Sequence, residues 1–68
     1  MKATIHLKNG TRIKKHHVRY ISAKTDNNQL YIMRYIYSSY NTRRLVEEFY
    51  NLSEVEHWAV DQPEKGGW

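Results

Sequence analysis

Gln29-Leu-Tyr-Ile-Met-Arg-Tyr-Ile-Tyr37 decides how this chain is read. With side chains alternating between two sides, Leu30, Ile32 and Ile36 share one face, and Tyr31, Met33, Tyr35 and Tyr37 share the other. Arg34 is the one charge in the stretch. A strand apolar on both faces belongs in the middle of a sheet, so residues 29–37 are expected to form a central strand.

The rest of the chain supplies strands to pair with it. Ala3, Ile5 and Leu7 alternate with Thr4, His6 and Lys8, the period of a half-buried strand. Asn9-Gly10 follows, a pair suited to a two-residue type I′ hairpin turn, and the return strand starts at Thr11 with Ile13 inward. Lys14 to His17 holds no apolar residue and reads as a loop, bulge or exposed edge. Val18 to Ala23 resumes a strand, but Val18 and Ile21 are three apart, which calls for a bulge. Asp26-Asn27-Asn28 and Ser38 to Asn41 are turn and loop sequences.

Residues 42–52 fit two patterns. Leu45, Phe49 and Leu52 suit helical spacing, while as a strand Leu45 and Phe49 share a face with Glu47. The strand is preferred, because a lone helix this short is marginal without strong packing. Asn51 to Glu54 then turns into a last strand, Val55 to Val60, with Trp58 inward. The expectation is one mainly β domain over residues 1–61, a small antiparallel sheet of about five strands, with a short helix at 42–52 as the variant. Residues 62–68, with Pro63 and Gly66-Gly67, read as a flexible tail.

Sixty-eight residues make one small domain, burying only about 60% of the unfolded surface. The chain has no cysteine, which excludes disulfides and thiolate zinc sites and suits a reducing cytoplasm. No apolar run approaches the roughly 18 residues of a membrane span, and the first residues lack a signal-peptide core, so a soluble cytoplasmic protein without membrane contact is expected. Net charge is +4, but it is sorted along the chain. Residues 1–44 carry ten of the eleven Lys and Arg against Asp26 alone, and residues 45–68 carry six acids against Lys65 alone. Such sorting marks an interaction surface or, equally, strands that neutralise each other across a sheet.

The opening Ala3-Thr-Ile-His-Leu-Lys-Asn-Gly10 and the closing Phe49-Tyr-Asn-Leu-Ser-Glu-Val-Glu-His-Trp-Ala-Val60 resemble short β-rich proteins of phages and prophages of Gram-positive bacteria. The resemblance implies a small antiparallel sheet or an SH3-like barrel with a short turn before the last strand. Some small phage proteins of this size bind and block a host enzyme or defence complex, anti-CRISPR proteins among them. No shared active motif carries a functional residue over to this chain.

Chemistry within the chain is sparse. Glu47, Glu48, Glu54 and Glu56 cluster in sequence, but adjacent acids on a short segment read as a solvated face, and so small a core leaves little room for a pocket of about 300 Å³. An enzyme is not expected. Adjacent His16 and His17 face opposite sides of a strand, and no metal-ligand spacing links them to His6 or His57, so no metal or other cofactor is expected. The three glycines form no phosphate loop.

Aromatic and basic residues carry the functional signal. Tyr31, Tyr35 and Tyr37 line one face of the central strand, either as a second core layer or as a surface. Arg34 lies on the opposite face, and Arg19, Lys24, Arg43 and Arg44 border the region in sequence. A protein partner, favoured here as a host protein, would take Tyr35, Tyr37, Tyr40 and Trp58 as anchors, the residue types of interface hot spots. Single-stranded nucleic acid would instead stack on tyrosines and pair its phosphates with Arg12, Lys14, Lys15, Arg19 and Arg34. The acidic C-terminal segment and a modest net charge favour the protein. A structural role, with association as a homodimer through a strand edge, is the third reading.

Overall fold

The structure, a computed structural model, describes residues 1–61. It contains six strands, β1 (Lys2–Leu7), β2 (Arg12–Lys15), β3 (Val18–Lys24), β4 (Gln29–Tyr37), β5 (Arg43–Asn51) and β6 (Val55–Asp61), and one 3-10 turn, Leu52–Glu54. They form two antiparallel three-stranded sheets, ordered β2-β1-β6 and β3-β4-β5. The mainly β expectation holds, and residues 29–37 form the central strand of the second sheet. The strands number six rather than about five, and the two ladders do not close into a barrel. The tail expected over 62–68 lies outside the described residues. Among the described residues no helix is long and apolar enough to cross a membrane.

The ambiguous stretch is a strand. Arg43 to Asn51 run opposite Tyr37 to Gln29 without a break in register. A nine-residue ladder satisfies backbone groups that a short, weakly packed helix would have to satisfy alone. The helical variant at 42–52 is therefore not formed.

Turn chemistry fixes the connections. The β1–β2 hairpin has a three-residue loop instead of the type I′ pair, because only Gly10 has positive φ, at 92°. Gly10 N–H donates to Leu7 O (3.0 Å), Leu7 N–H donates to Thr11 O (2.9 Å), and Asn9 Oδ1 accepts from Thr11 N–H (2.9 Å). A turn closed by one left-handed glycine is the usual three-residue hairpin solution. Asn28 and Asn41 take positive φ in the other two hairpins, a conformation asparagine tolerates. The expected bulge falls at Arg19, where the ladder jumps from Val18 opposite Arg34 to Tyr20 opposite Met33.

The chain crosses between sheets at His16-His17, with His17 at φ 58°. Beside this corner Val18 N–H donates to Met1 O (2.8 Å), and the Met1 amino group donates to Val18 O (3.3 Å). Between the sheets lie Ala3, Ile5, Val18, Leu30, Ile32 and Val55, with Ile13, Ile21, Tyr50, Leu52 and Trp58 packed around them. Trp58 is inward as expected, half-buried opposite Ile5. Ile5, Leu30 and Ile32 are fully buried, each contributing about 1.5–3 kcal/mol by leaving water.

Candidate partner interface

Strand period two places Leu30 and Ile32 in the core, so Tyr31, Met33 and Tyr35 must face away from the first sheet. The tyrosine row lies on the outer face, with no second layer over it among the described residues: Tyr31 is buried, Tyr35 half-buried and Tyr37 exposed. Register then decides its neighbours. From β3, Tyr20 lies opposite Met33 and Ser22 opposite Tyr31. From β5, Phe49 lies opposite Tyr31, Glu47 opposite Met33, Leu45 opposite Tyr35 and Arg43 opposite Tyr37.

The rings form a connected slab. Tyr31 sits between Tyr20 (centroids 6.0 Å apart, 58° tilt) and Phe49 (5.3 Å, 50°). Those flanking rings shield Tyr31 to 9% exposure, while Tyr20 and Leu45 keep 45% and Phe49 54%. Cations cover parts of it: Lys24 Nζ lies 5.7 Å from the Tyr20 ring and 5.5 Å from Tyr31, and the Arg43 guanidinium lies 4.5 Å from Tyr35. Arg19, Tyr20, Tyr31 and Met33 line a shallow open depression.

One acid sits inside this face. The Tyr31 hydroxyl donates to Glu47 Oε2 at 2.5 Å. That bond, with burial and the Glu47 charge behind it, pushes the phenol above its ordinary pKa and keeps it a donor. The slab therefore has a fixed polar point within an apolar surround.

Glu48, next in sequence, points the other way and builds a clamp. Arg34 Nε donates to its Oε1 (2.9 Å) and Arg34 Nη2 to its Oε2 (3.2 Å), while Lys15 Nζ lies 3.4 Å from both oxygens. Partial burial works to raise the Glu48 pKa, but the Arg34 hydrogen bonds and the Lys15 and Arg34 charges outweigh it and hold the carboxyl below the ordinary range. The clamp ties β2 of one sheet to β4 and β5 of the other.

The structure thus brings together Tyr31, Tyr35, Tyr37, Arg43 and Arg19 on one face. Tyr40 stands in the adjoining β4–β5 loop, 87% exposed. It does not bring the others there. Arg12 and Lys14 are on the outer side of the first sheet, Lys15 and Arg34 are engaged by Glu48, Arg44 lies on the opposite face against Ile36, and Trp58 belongs to the core. Tyr20, Leu45 and Phe49 complete the slab without having been singled out. The β3 bulge shifts the face of Tyr20, and the helical alternative hid that of Leu45 and Phe49.

Elsewhere, His6 and His57 stack across β1 and β6, centroids 4.2 Å apart at 17°, with Glu56 Oε1 3.5 Å from His57 Nδ1. No group of three or more His, Asp or Glu placed to hold a metal occurs among the described residues. Comparison with protein-family models, curated proteins and solved structures finds no match for this chain.

Proposed function

We propose that this protein is a non-enzymatic binding module that docks another protein on the outer face of its second sheet. The observation that carries the reading is the outer-face slab in which exposed Tyr20, Leu45 and Phe49 surround buried Tyr31 and half-buried Tyr35 on the central strand. Large aromatic side chains contribute most when a partner removes them from water, and here they stand ordered in advance. Leu45, Phe49 and the Tyr31–Glu47 hydroxyl–carboxylate pair suit a protein surface, which offers both apolar contacts and backbone donors. The narrower reading, a phage-type inhibitor of a host nucleic-acid-handling or defence complex in the cytoplasm, rests on the resemblance of residues 3–10 and 49–60.

A second reading has its own observation. Lys24 and Arg43 lie against the tyrosines, and rings alternating with cations also hold single-stranded nucleic acid. Two measurements separate the readings. Immobilised protein should retain one stoichiometric protein from a host lysate, and Phe49→Ser and Tyr20→Ser should release it while circular dichroism stays β-rich. Fluorescence anisotropy with a labelled oligonucleotide should show no saturable binding at low salt. Tight oligonucleotide binding that weakens log-linearly with salt, with no protein retained, overturns the proposal in favour of the second reading.

A further inference from the structure

The four sheet edges are not equivalent. The β2 edge has four residues and carries Lys14 and Lys15; β3 is broken by the bulge at Arg19; β6 carries Glu56, His57 and Asp61. The β5 edge runs nine residues with no Pro, Gly, Lys or bulge, and no strand pairs with its outer side among the described residues. A long open edge is a template for another strand unless something protects it.

The register shows which groups that edge offers. Ser38 N–H donates to Thr42 O (2.8 Å) at one end of the β4–β5 ladder, and Leu52 N–H donates to Asn28 O (2.9 Å) at the other. Hydrogen-bonded pairs recur at every second residue of an antiparallel ladder, so the even-numbered residues of β5 bond to β4. Arg43, Leu45, Glu47 and Phe49 therefore turn their N–H and C=O groups to the open side.

Charge along β5 is divided: Arg43 and Arg44 at the start, Glu47 and Glu48 towards the end. Like charges along an edge repel a second copy. This order attracts one, because antiparallel self-pairing lays the basic end of each strand against the acidic end of the other. We infer that the protein forms a two-fold homodimer through β5, with Leu45 opposite Leu45 of the second copy and Arg43 opposite Glu47 in both directions. Registers centred on Arg44 or Glu47 set like charges opposite each other. One centred on Val46 sets Leu45 against a carboxylate and draws on Glu48, already held by Arg34 and Lys15. In the Leu45-centred register the two second sheets join into one six-stranded sheet, with both aromatic slabs on the same side. The dimer is independent of what docks on those slabs.

Sedimentation equilibrium from low micromolar to near-millimolar protein tests it. The wild type should pass from monomer to dimer. Arg43→Glu or Glu47→Arg alone sets two like-charge pairs across the seam and should raise the dimer dissociation constant by about tenfold or more. An equimolar mixture of the two variants restores both opposite-charge pairs and should dimerise like wild type. A wild type that stays monomeric, a dimer indifferent to both reversals, or a mixture that stays monomeric overturns the inference. Register is read separately in this cysteine-free chain. Paired residues at the two-fold are about 5.5 Å apart between Cα atoms, within disulfide reach, so Leu45→Cys should cross-link on mild oxidation. Phe49→Cys, which faces Asn41 of the second copy, should not. Cross-linking at 49 and not at 45 overturns the register, and this pair of variants also serves if a charge reversal prevents folding.

Discussion

Outside the first sheet stand Thr4, His6, Arg12, Lys14, His57 and Asp61; outside the second stand Tyr20, Tyr31, Tyr35, Leu45 and Phe49. Both sheets have three antiparallel strands and press their inner faces on one core, so folding asks the same of each. An antiparallel sheet with one solvated face normally carries polar residues there, and the first sheet does. The second, beside Ser22, Lys24, Arg43 and Glu47, leaves Tyr20, Leu45 and Phe49 about half exposed to water, which adds a risk of aggregation. The contrast supports the contact role proposed for the second outer face, because the first sheet shows how the same three-stranded architecture is built with a polar outer face.

The largest expected effect breaks both sheets together. Leu30→Ala removes a fully buried side chain beside Ile5 and Ile32 and should cost about 2–5 kcal/mol of stability. Urea unfolding followed at the Ile5 and Ile32 methyl resonances should move both signals to the same lower midpoint. Separate midpoints would mean that the sheets are independent units, and the comparison between their outer faces would lose its common reference.

Next comes the slab itself. Phe49→Ser should weaken partner binding by about 30-fold, the size of a hot-spot loss near 2 kcal/mol, while stability changes by about 1 kcal/mol or less. Titration calorimetry with the retained partner and a urea curve give the two numbers. A stability loss as large as that of Leu30→Ala would reassign the slab to the core of the fold.

How far the sequence foretold this contrast follows from individual residues. Gln29–Tyr37 was legible as the central strand because both faces are apolar, and Ala3, Ile5 and Ile13 were legible because they alternate. Which face of β4 looks outward was not legible. Tyr31 and Ile32 are both apolar enough to be core, and only the partner strands decide. Tyr20 was hidden by a one-residue bulge, which a two-residue period cannot follow. Arg34 and Lys15 resembled free cations until the fold brought Glu48 between them across a separation of 33 residues in one case.

A smaller effect separates the two faces of β5. Glu48→Gln should remove about 1 kcal/mol, kept modest because solvent still reaches the clamp. The sign with pH follows from the depressed folded-state pKa. The clamp's contribution is complete above the unfolded carboxylate range and is lost as pH falls through the lower folded value. Wild type should therefore lose stability on acidification more steeply than Glu48→Gln, by urea midpoints measured from neutral to acid pH. Equal slopes would show that Glu48 is not held by Arg34 and Lys15 in solution, leaving Arg34 free to serve a partner.

The smallest effect is the sharpest control. His6 and His57 stack face to face on the first sheet, both open to solvent on one side, and exposed ring pairs of this kind contribute little. His6→Thr, which keeps β propensity, should change stability by no more than about 0.5 kcal/mol and leave partner affinity untouched. Its value lies in being matched to Phe49→Ser: each removes one ring from the outer face of a three-stranded sheet and sets a small hydroxylated side chain in its place. If His6→Thr abolishes binding and Phe49→Ser does not, the polar sheet is the contact surface, and the aromatic slab, which the edge-to-edge β5 dimer leaves open, must be explained by packing against another part of the same assembly.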